Sequence, residues 1–285
     1  LLDKLQRHPK RIVFPEGTDA RVLHAARQFH ALRLGAPIVL GDRNQVRETA
    51  GRLNIPLDGI RVIDPETSPD LDSFVQRFLR RRRSKGVQEP EARQAMVKPN
   101  YFGAMMVAMH QADGFVSGAN EIGGSVLRPL FQIIKVAPHT GVASSCMVTE
   151  VRDSQFGEDG VLFLADCGVI PEPNVEQLAE TAVATASLAR HLLNVRPRVA
   201  LLSFSTKGSA SHPSVGRVQA ATALARQRAE QKGLEADIDG ELQLDAALVE
   251  EIGRRKAPGS AVAGRANVLI FPELNSGNIG ARLLQ

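Results

Sequence analysis

The residues best suited to bind an anion lie together at the point where an apolar, strand-like run ends. Residues 199–202 are followed by a turn, residues 203–211, that contains four serines, one threonine and Lys207. Helical spacing resumes after Pro213, so the order is strand, turn and helix start. Such a turn aims backbone N–H groups and the positive end of a helix dipole at one spot, where Ser205 and Thr206 add hydroxyl donors. The alternative interpretation is an ordinary loop in which a hydroxyl caps the helix, and the turn alone leaves both open.

The elements that must position this turn alternate along the whole chain. Strands are predicted at 11–14, 37–40, 61–64, 114–119, 142–151, 161–165, 198–202, 237–241 and 267–271, and helices at 20–34, 44–53, 71–83, 94–110, 128–135, 176–193, 213–232 and 245–255. Thr18 or Asp19 is predicted to cap the first helix, Gly35 to end it, and Pro129 to open the helix at 128–135.

This alternation of strands and helices predicts an α/β fold. We expect two three-layer α/β domains with mostly parallel sheets. The composition changes near residues 138–141, which gives a first domain over 1–140 and a second over 141–285. A cleft between two such domains is a common place for a small ligand, so an interdomain cleft is expected.

Composition excludes several classes of protein. The 285 residues carry a net charge of +4 and contain no run of 18 or more apolar residues, so no membrane span is predicted. Basic residues concentrate at 80–85, and one Tyr with no Trp offers few stacking partners for nucleic acid, so a phosphate-bearing small molecule fits better. Cys146 and Cys167 lack a CxxC spacing, so we expect reduced core residues in a cytoplasmic protein. The alternative is a catalytic cysteine, but no His neighbours either residue.

Long phrases of the sequence also resemble those of a known family. They include FPEGTDARVLHAA, DGFVSGA, RPLFQIIK, FGEDGVLFLADCGVIPEP, PRVALLSFSTKGSA and KAPGSAVAGRANVLIFPELNSGNIG, in the expected order from Arg11 to Leu284. On these phrases the chain resembles the phosphate acetyltransferase family and its phosphate butyryltransferase relatives. The resemblance implies transfer of an acetyl group between coenzyme A and inorganic phosphate by direct attack of the CoA thiol. It further implies a cytoplasmic homodimer with the active site between two α/β domains. Its partners would be small molecules (CoA, acetyl-CoA, phosphate and acetyl phosphate), with no permanently bound cofactor, metal, nucleic acid or membrane.

The resemblance also points to particular binding residues. Arg21, Arg82 and Arg128 match positions that the family uses around CoA and phosphate, and Arg128 is the first choice because Pro129 can start a helix whose N-terminus favours an anion. The alternative for Arg21 is an ordinary surface residue in the first turn of a helix. The alternative for Arg82 is one solvated arginine among four, and its match to the family's position is open by one residue. The polar phrases SFSTKGSA and PELNSGN add the predicted substrate contacts Ser205, Thr206, Asn275 and Gly277.

The sequence departs from the family's pattern in two places. In the family, the serine, arginine and aspartate that position and deprotonate CoA lie beyond the stretch matching residues 277–285, in a segment that also completes the first domain. The sequence is therefore expected to be C-terminally truncated, with its general base beyond Gln285 and no activity of its own. In addition, Glu121-Ile122-Gly123 replaces the family's His-Thr-Thr or His-Ser-Thr. A carboxylate there repels phosphate by about 1–4 kcal/mol at about 4 Å, and we expect Ser117 and Ser125 to replace some of the lost donors.

Two other functions stay open. One is a transferase that prefers butyryl or another short acyl chain, a difference of about 1–3 kcal/mol that the sequence does not reveal. The other is a non-catalytic module that binds acetyl-CoA, similar to the C-terminal domain of some malic enzymes, which Glu121 and the missing base favour. The polar residues retained at 203–211 and 272–278 favour the enzyme, so we expect a phosphate acetyltransferase.

Overall fold

The computed structural model describes residues 2–121, 123–134, 136 and 141–284. The chain divides into two compact units, Leu1–Lys135 and Val136–Gln285. Of the predicted domain boundary at 138–141, residues 138–140 lie outside the described residues.

The first unit is a parallel sheet between two layers of helices. Its strands are β1 (Lys10–Phe14), β2 (Gly35–Leu40), β3 (Arg61–Ile63) and β4 (Gly114–Phe115), and its helices are α1 (Leu2–Arg7), α2 (Ala20–Ala31), α3 (Arg43–Arg52), α4 (Leu71–Arg82), α5 (Glu89–Met96), α6 (Pro99–Ala108) and α7 (Gly123–Ile133), with a 3-10 turn at Arg83–Lys85. The strand order is β3-β2-β1-β4, and every pair is parallel. Val13 and Ile38 pack with α4 to α7, whereas Phe14 and Val39 pack with α2 and α3 on the other face.

The second unit repeats this architecture around a larger sheet. Its strands are β5 (Met147–Glu150), β6 (Val161–Ala165), β7 (Arg198–Leu202), β8 (Asp237–Leu242) and β9 (Val268–Ile270), and its helices are α8 (Val175–Leu193), α9 (Pro213–Gln231), α10 (Leu244–Leu248), α11 (Glu250–Lys256) and α12 (Leu274–Leu283). The order is β5-β6-β9-β7-β8, and only the pairing of β5 with β6 among these described strands is antiparallel. Phe163 and Val199 pack with α8 and α9, whereas Leu164 and Ala200 pack with α10 and α12. The prediction of three-layer α/β architecture with mostly parallel sheets is confirmed.

The prediction that Gly35 ends the first helix is wrong. Helix α2 ends at Ala31, and Arg33 takes the left-handed conformation with φ 57°. Gly35 instead opens β2, where a Cβ would lie 1.9 Å from the carbonyl oxygen of Lys10. The glycine is therefore required by the close approach of β1, and not by a helix C-cap.

Two predicted helices are each divided in two. The passage predicted as one helix over 94–110 consists of α5 and α6, because Pro99 occupies the first position of α6 and Lys98 before it is extended. The helix predicted over 245–255 is broken at Val249, whose ψ of 116° is extended, into α10 and α11.

The prediction that Pro129 opens a helix is also wrong. Helix α7 begins at Gly123, so Pro129 and Arg128 lie in its interior. Glycines and a serine at 123–125 hide the start of this helix from a periodicity argument, since they have no apolar spacing. Arg128 consequently lies away from the helix N-terminus, and its attraction for anions must come from its own charge.

No helix in the described part of the chain is both long and apolar enough to cross a membrane. The described residues also contain no group of three or more His, Cys, Asp or Glu side chains arranged to hold a metal ion.

Candidate functional site

The proline inside α7 leaves one backbone carbonyl of that helix without its usual donor, and a side chain of a neighbouring helix supplies the hydrogen bond. Pro129 has no N–H for the carbonyl of Ser125, four residues earlier. Nδ2 of Asn100 donates to that carbonyl instead, at 3.4 Å. Asn100 is buried at the start of α6, and its Oδ1 accepts a hydrogen bond from Oγ of Ser117 at 3.0 Å. Asn100 thus ties α7 to the loop that follows β4.

A cavity of about 420 Å³, which we call the Arg128 pocket, lies between the start of α6 and α7. It is lined by Lys98, Pro99, Asn100, Tyr101, Glu121, Gly124, Ser125, Arg128 and Pro129. The side chains of Lys98 and Arg128 are exposed, and neither forms a hydrogen bond or ion pair with any described residue. Two cations against one carboxylate, Glu121, leave the pocket with a net positive charge. Its volume is in the range of small-molecule sites.

Arg82 lies within electrostatic reach of the same region. Tyr101, in the lining of the Arg128 pocket, donates its hydroxyl hydrogen to Oε1 of Gln132 at 3.0 Å. Burial raises the pKa of Tyr101, while the charges of Arg128 and Arg82 act to lower it. Arg82 is half-buried, and its Nε has no hydrogen-bond partner among the described residues. Arg82 and Arg128 are therefore brought to one neighbourhood, and their contact with CoA or phosphate stays a prediction.

Arg21 lies in the first turn of α2, next to the N-cap, which is Asp19 and not Thr18. Asp19 accepts the backbone N–H of Arg21 at 2.8 Å and its guanidinium at 2.7 Å. These hydrogen bonds hold the pKa of Asp19 at about 2. Nη2 of Arg21 also donates to the carbonyl of Ala119 at 2.6 Å, yet the side chain stays 67% exposed. Arg21 is accordingly oriented by protein contacts with most of its surface open to a ligand.

A second cavity, of about 500 Å³, contains Arg21 and adjoins the Arg128 pocket. It is lined by Pro15, Glu16, Thr18, Asp19, Ala20, Arg21, Pro99, Asn100, Asn120 and Glu121. The two cavities share Pro99, Asn100 and Glu121. The predicted residues Arg21, Ser125 and Arg128 thus line two adjoining cavities in the first unit.

Ser125 makes a contact that the sequence does not predict. Its hydroxyl donates to Oε2 of Glu121 at 2.5 Å. The carboxylate that departs from the family's pattern is therefore bonded to the residue expected to compensate for it. Contact of Ser125 with phosphate stays a prediction. Ile122 lies outside the described residues.

The sequence pattern does not single out Glu16, which organises the loop after β4. Its Oε2 accepts the N–H groups of Gly118 and Ala119 at 2.8 and 3.0 Å, and its Oε1 accepts those of Asn120 and Glu121 at 2.6 and 3.0 Å. Burial acts to raise the pKa of Glu16, but the four backbone donors outweigh it and hold the pKa below its ordinary value. The sequence feature that could have indicated this role is an acidic residue directly after one strand, together with a loop of small residues after another strand.

Ser205 and Thr206 lie in the second unit, where both are buried. Oγ of Ser205 donates to Glu241 at 3.0 Å, and the N–H of Gly208 donates to the same oxygen at 2.7 Å. Oγ1 of Thr206 donates to Oε1 of Gln243 at 3.2 Å and accepts the backbone N–H of that residue at 2.9 Å. Their hydroxyls are thus committed to the polar network between β7 and β8, and contact with substrate stays a prediction.

Asn275 and Gly277 lie in the first turns of α12. Asn275 is exposed, and its N–H donates to the capping carboxylate of Glu273 at 2.7 Å. Gly277 is buried, and a Cβ there would lie 2.1 Å from the carbonyl oxygen of Asp166. Gly277 therefore permits the close approach of α12 to the end of β6, and the predicted substrate contacts of both residues stay predictions.

Asp166 occupies a cradle of donors at the end of β6. Its Oδ1 accepts the hydroxyl of Ser145 and the N–H groups of Gly168 and Val169, the latter two at 2.9 and 3.1 Å. Its Oδ2 accepts the N–H of Ile170 at 2.8 Å. The carboxylate thereby shapes the loop that leads to α8.

The two cysteines are free thiols, as predicted. Burial raises the pKa of Cys146 to about 12 and that of Cys167 to about 11. At neutral pH both are protonated, and a protonated thiol is a poor nucleophile. These environments favour the core interpretation over a catalytic cysteine.

Comparisons with known proteins cover the whole sequence. A model of the family described as phosphate acetyl/butaryl transferase matches residues 1–285. The phosphate acetyltransferase of Thermoanaerobacterium thermosaccharolyticum is 46% identical over 287 residues, covering 100% of this chain and 85% of the relative.

Solved structures agree with this relationship. The EutD phosphotransacetylase of Staphylococcus aureus has a TM-score of 0.87 at 43% identity, covering 99% of this chain and 83% of the other. A phosphotransacetylase of Streptococcus pyogenes also has a TM-score of 0.87, at 37% identity, with 99% and 84% covered.

Proposed function

The chain belongs to the phosphate acetyl/butaryl transferase family, and from this membership we propose that it catalyses acetyl-CoA + phosphate = acetyl phosphate + CoA. The observation that supports the proposal most directly is the pair of cations in the Arg128 pocket, Lys98 and Arg128, which have no partner among the described residues. Cations without a carboxylate partner beside a cavity are suited to an anionic substrate. Relatives named phosphate acetyltransferases favour acetyl over butyryl transfer and an enzyme over a binding module.

The reaction needs an attacking thiol and a stabilised leaving group. In the direction of acetyl-CoA synthesis, the CoA sulfur forms a bond to the acetyl carbon, and the bond from that carbon to the phosphate oxygen breaks. The thiol proton passes to a base, and phosphate leaves with the electron pair. Stabilisation of the charge that develops on phosphate is the part that this site is equipped to provide.

We assign the binding roles by charge and position. Arg128 binds phosphate oxygens through its planar fork, and Lys98 adds a second positive charge at the same pocket. Arg21 and Arg82 bind the anionic groups of CoA, a role supported by the exposure of Arg21 and by the electrostatic reach of Arg82 to Tyr101 in the pocket lining. CoA is a substrate here and not a permanently bound cofactor.

We also propose a cytoplasmic homodimer. The dimer is supported by resemblance to the family, and the location by the use of CoA and by two thiols that form no disulfide. Sedimentation of the purified chain at several concentrations tests the dimer.

The proposed reaction is tested by CoA-dependent release of phosphate from acetyl phosphate, assayed with the 285-residue chain and with the full open reading frame that encodes it. Thioester formation that is lost in Arg128→Ala supports the proposal. If neither protein releases phosphate but acetyl-CoA still binds in calorimetry, the chain is a binding module instead. Faster turnover of butyryl phosphate than of acetyl phosphate reassigns the acyl preference.

A further inference from the structure

In the loop after β4, residues 117–121, which we call the Ser117 loop, four backbone N–H groups share one carboxylate as their acceptor. Four successive N–H groups of this loop, from Gly118 to Glu121, point at the two oxygens of Glu16. Oγ of Ser117 also lies 3.4 Å from Oε2 of Glu16. A run of backbone N–H groups that converge in this way forms an anion-binding concavity. In this molecule the protein's own carboxylate fills it.

Glu16 is itself fixed by the turn that follows β1. The N–H of Gly17 donates to the carbonyl of Leu40 at 3.0 Å, and a Cβ on Gly17 would lie 2.4 Å from that same oxygen. The N–H of Asp19 donates to the carbonyl of Glu16 at 3.0 Å. Because β1 and β4 are parallel neighbours, this turn and the Ser117 loop leave the same edge of the sheet. A rigid turn therefore sets the position of the carboxylate and, through it, the loop.

The far end of the Ser117 loop leads directly into the Arg128 pocket. Glu121 is the last residue held by Glu16, and its carboxylate accepts the hydroxyl of Ser125 in the first turns of α7. The same helix carries Arg128. Glu16 is thus linked to the walls of the Arg128 pocket by an unbroken series of hydrogen bonds and short chain segments.

We propose that Glu16 is a positioning residue of the anion pocket: it holds the Ser117 loop, and through the loop Glu121 and the start of α7, in the arrangement that binds phosphate. The inference rests on the proposed function for the identity of the ligand. Glu16 contacts the loop and not the phosphate, so its effect is transmitted through the geometry of the pocket.

The sign of the effect on phosphate binding distinguishes this role from the alternatives. Removal of a negative charge near an anion site tightens anion binding, because a Coulomb repulsion is lost. Removal of a positioning group weakens binding, because the donors and cations no longer converge. If instead Glu16 competes with phosphate for the four N–H groups, its removal opens a new anion site and tightens binding.

The experiment measures two properties of Glu16→Gln, Glu16→Ala and Glu16→Asp in the complete 285-residue chain. Calorimetry with inorganic phosphate gives the dissociation constant, and hydrogen exchange followed by mass spectrometry gives the protection of the amides at 118–121. The matched control is Glu48→Gln, which removes the same charge from an exposed residue of the first unit whose side chain has no hydrogen bond or ion pair with a described residue. Glu16→Gln is nearly isosteric and serves if Glu16→Ala does not fold.

We expect Glu16→Gln to raise the phosphate dissociation constant about tenfold and to speed exchange at 118–121 about tenfold, with Glu16→Asp intermediate and Glu48→Gln unchanged. Unchanged or tighter phosphate binding overturns the positioning role, and unchanged exchange shows that the carboxylate does not hold the loop. If the wild-type chain binds no phosphate, the anion pocket and the proposed function fail together. The exchange result then still reports separately whether Glu16 holds the loop.

Discussion

Glu16 in the first unit and Asp166 in the second have similar settings, since each follows a parallel strand and accepts consecutive backbone N–H groups. Their surroundings differ. Beside the loop that Glu16 holds, Lys98 and Arg128 have no partner among the described residues. The comparison indicates that a carboxylate in a backbone cradle shapes a loop in both units, and that beside Glu16 the Arg128 pocket adds two cations with no hydrogen bond or ion pair to a described residue.

The cations of the second unit near β8 are neutralised within the unit. Lys207 and Arg226 both contact Oδ1 of Asp239 at 2.5 Å, and the hydroxyl of Ser260 donates to Oδ2 at 2.5 Å. Burial acts to raise the pKa of Asp239, but donation from Lys207 and Ser260 holds the pKa below its ordinary value. A cavity of about 470 Å³ lies beside these residues, and Glu230 and Asp237 also line it. Two cations facing three carboxylates give this cavity little attraction for an anion, in contrast to the Arg128 pocket.

The largest expected effect is on the stability of the second unit. Asp166→Ala leaves four backbone N–H groups and the hydroxyl of Ser145 without their acceptor, and we expect a loss of about 3 kcal/mol in the free energy of unfolding. Asp166→Asn keeps one oxygen and should lose less. Urea unfolding measures both variants, and equal stability of wild type and Asp166→Ala contradicts a structural role for the cradle.

Arg128→Ala should show the opposite signature in the first unit. We expect phosphate affinity to fall about a hundredfold because a charged, fork-shaped donor is lost. The free energy of unfolding should change by no more than about 0.5 kcal/mol, since the side chain is exposed and forms no hydrogen bond or ion pair with a described residue. Calorimetry with phosphate measures the affinity, and urea unfolding measures the stability. Arg128→Lys should recover part of the affinity. A variant that loses stability but keeps affinity places Arg128 among the structural residues.

These contrasts show how far the sequence predicts the molecule. The strand-helix alternation predicts both sheets because its signal is local. Capping needs only neighbouring residues, so the sequence limits the cap of α2 to Thr18 or Asp19, and the structure selects Asp19. The end of α2 at Ala31 is missed because Gly35 is required by the close approach of Lys10 on another strand, which the local sequence does not reveal. Pro129 is misplaced since Asn100, distant in sequence, supplies the donor that lets a proline lie inside α7.

The candidate site is predicted unevenly for the same reason. Arg21, Arg82 and Arg128 follow from phrases that resemble a family, and the structure brings them to adjoining regions of one unit. Ser205 and Thr206 have the residue types of an anion site, but their hydroxyls bond to Glu241 and Gln243, which lie more than thirty residues further along. Residue type predicts which donors exist, whereas tertiary contacts decide which remain available.

The substitute hydrogen bond at the proline is open to a double-mutant test. Asn100→Ala should destabilise the chain by about 1–2 kcal/mol because the Ser125 carbonyl loses its donor. Pro129→Ala supplies the missing N–H, so Asn100→Ala should be less destabilising in that background. Urea unfolding of the four proteins gives the coupling. Strict additivity means that Asn100 does not compensate for the proline.

Glu121 offers a smaller change with the opposite sign to Arg128. Glu121→Gln removes the carboxylate shared by the two cavities and keeps an oxygen that can accept from Ser125. At about 4 Å in a wet site the relieved repulsion is about 1 kcal/mol, so we expect phosphate to bind about fivefold more tightly. The gain should shrink as salt is added. Weaker binding indicates that the carboxylate serves the pocket through its contact with Ser125.

The smallest effect concerns acid stability at Asp19, whose pKa is about 2 when folded against an ordinary 3.8. A folded-state pKa below the unfolded value means that the stabilisation is complete above about pH 4 and is lost as the pH falls towards 2. Because Arg21 is exposed, solvent screens the pair and the contribution should stay below about 1 kcal/mol. Asp19→Asn can still cap α2 but has no charge to titrate. The difference in unfolding free energy between wild type and Asp19→Asn should therefore be constant from pH 7 to about 4 and shrink below it. A difference that does not vary with pH assigns the effect to capping alone and leaves Arg21 without a charge partner that orients it.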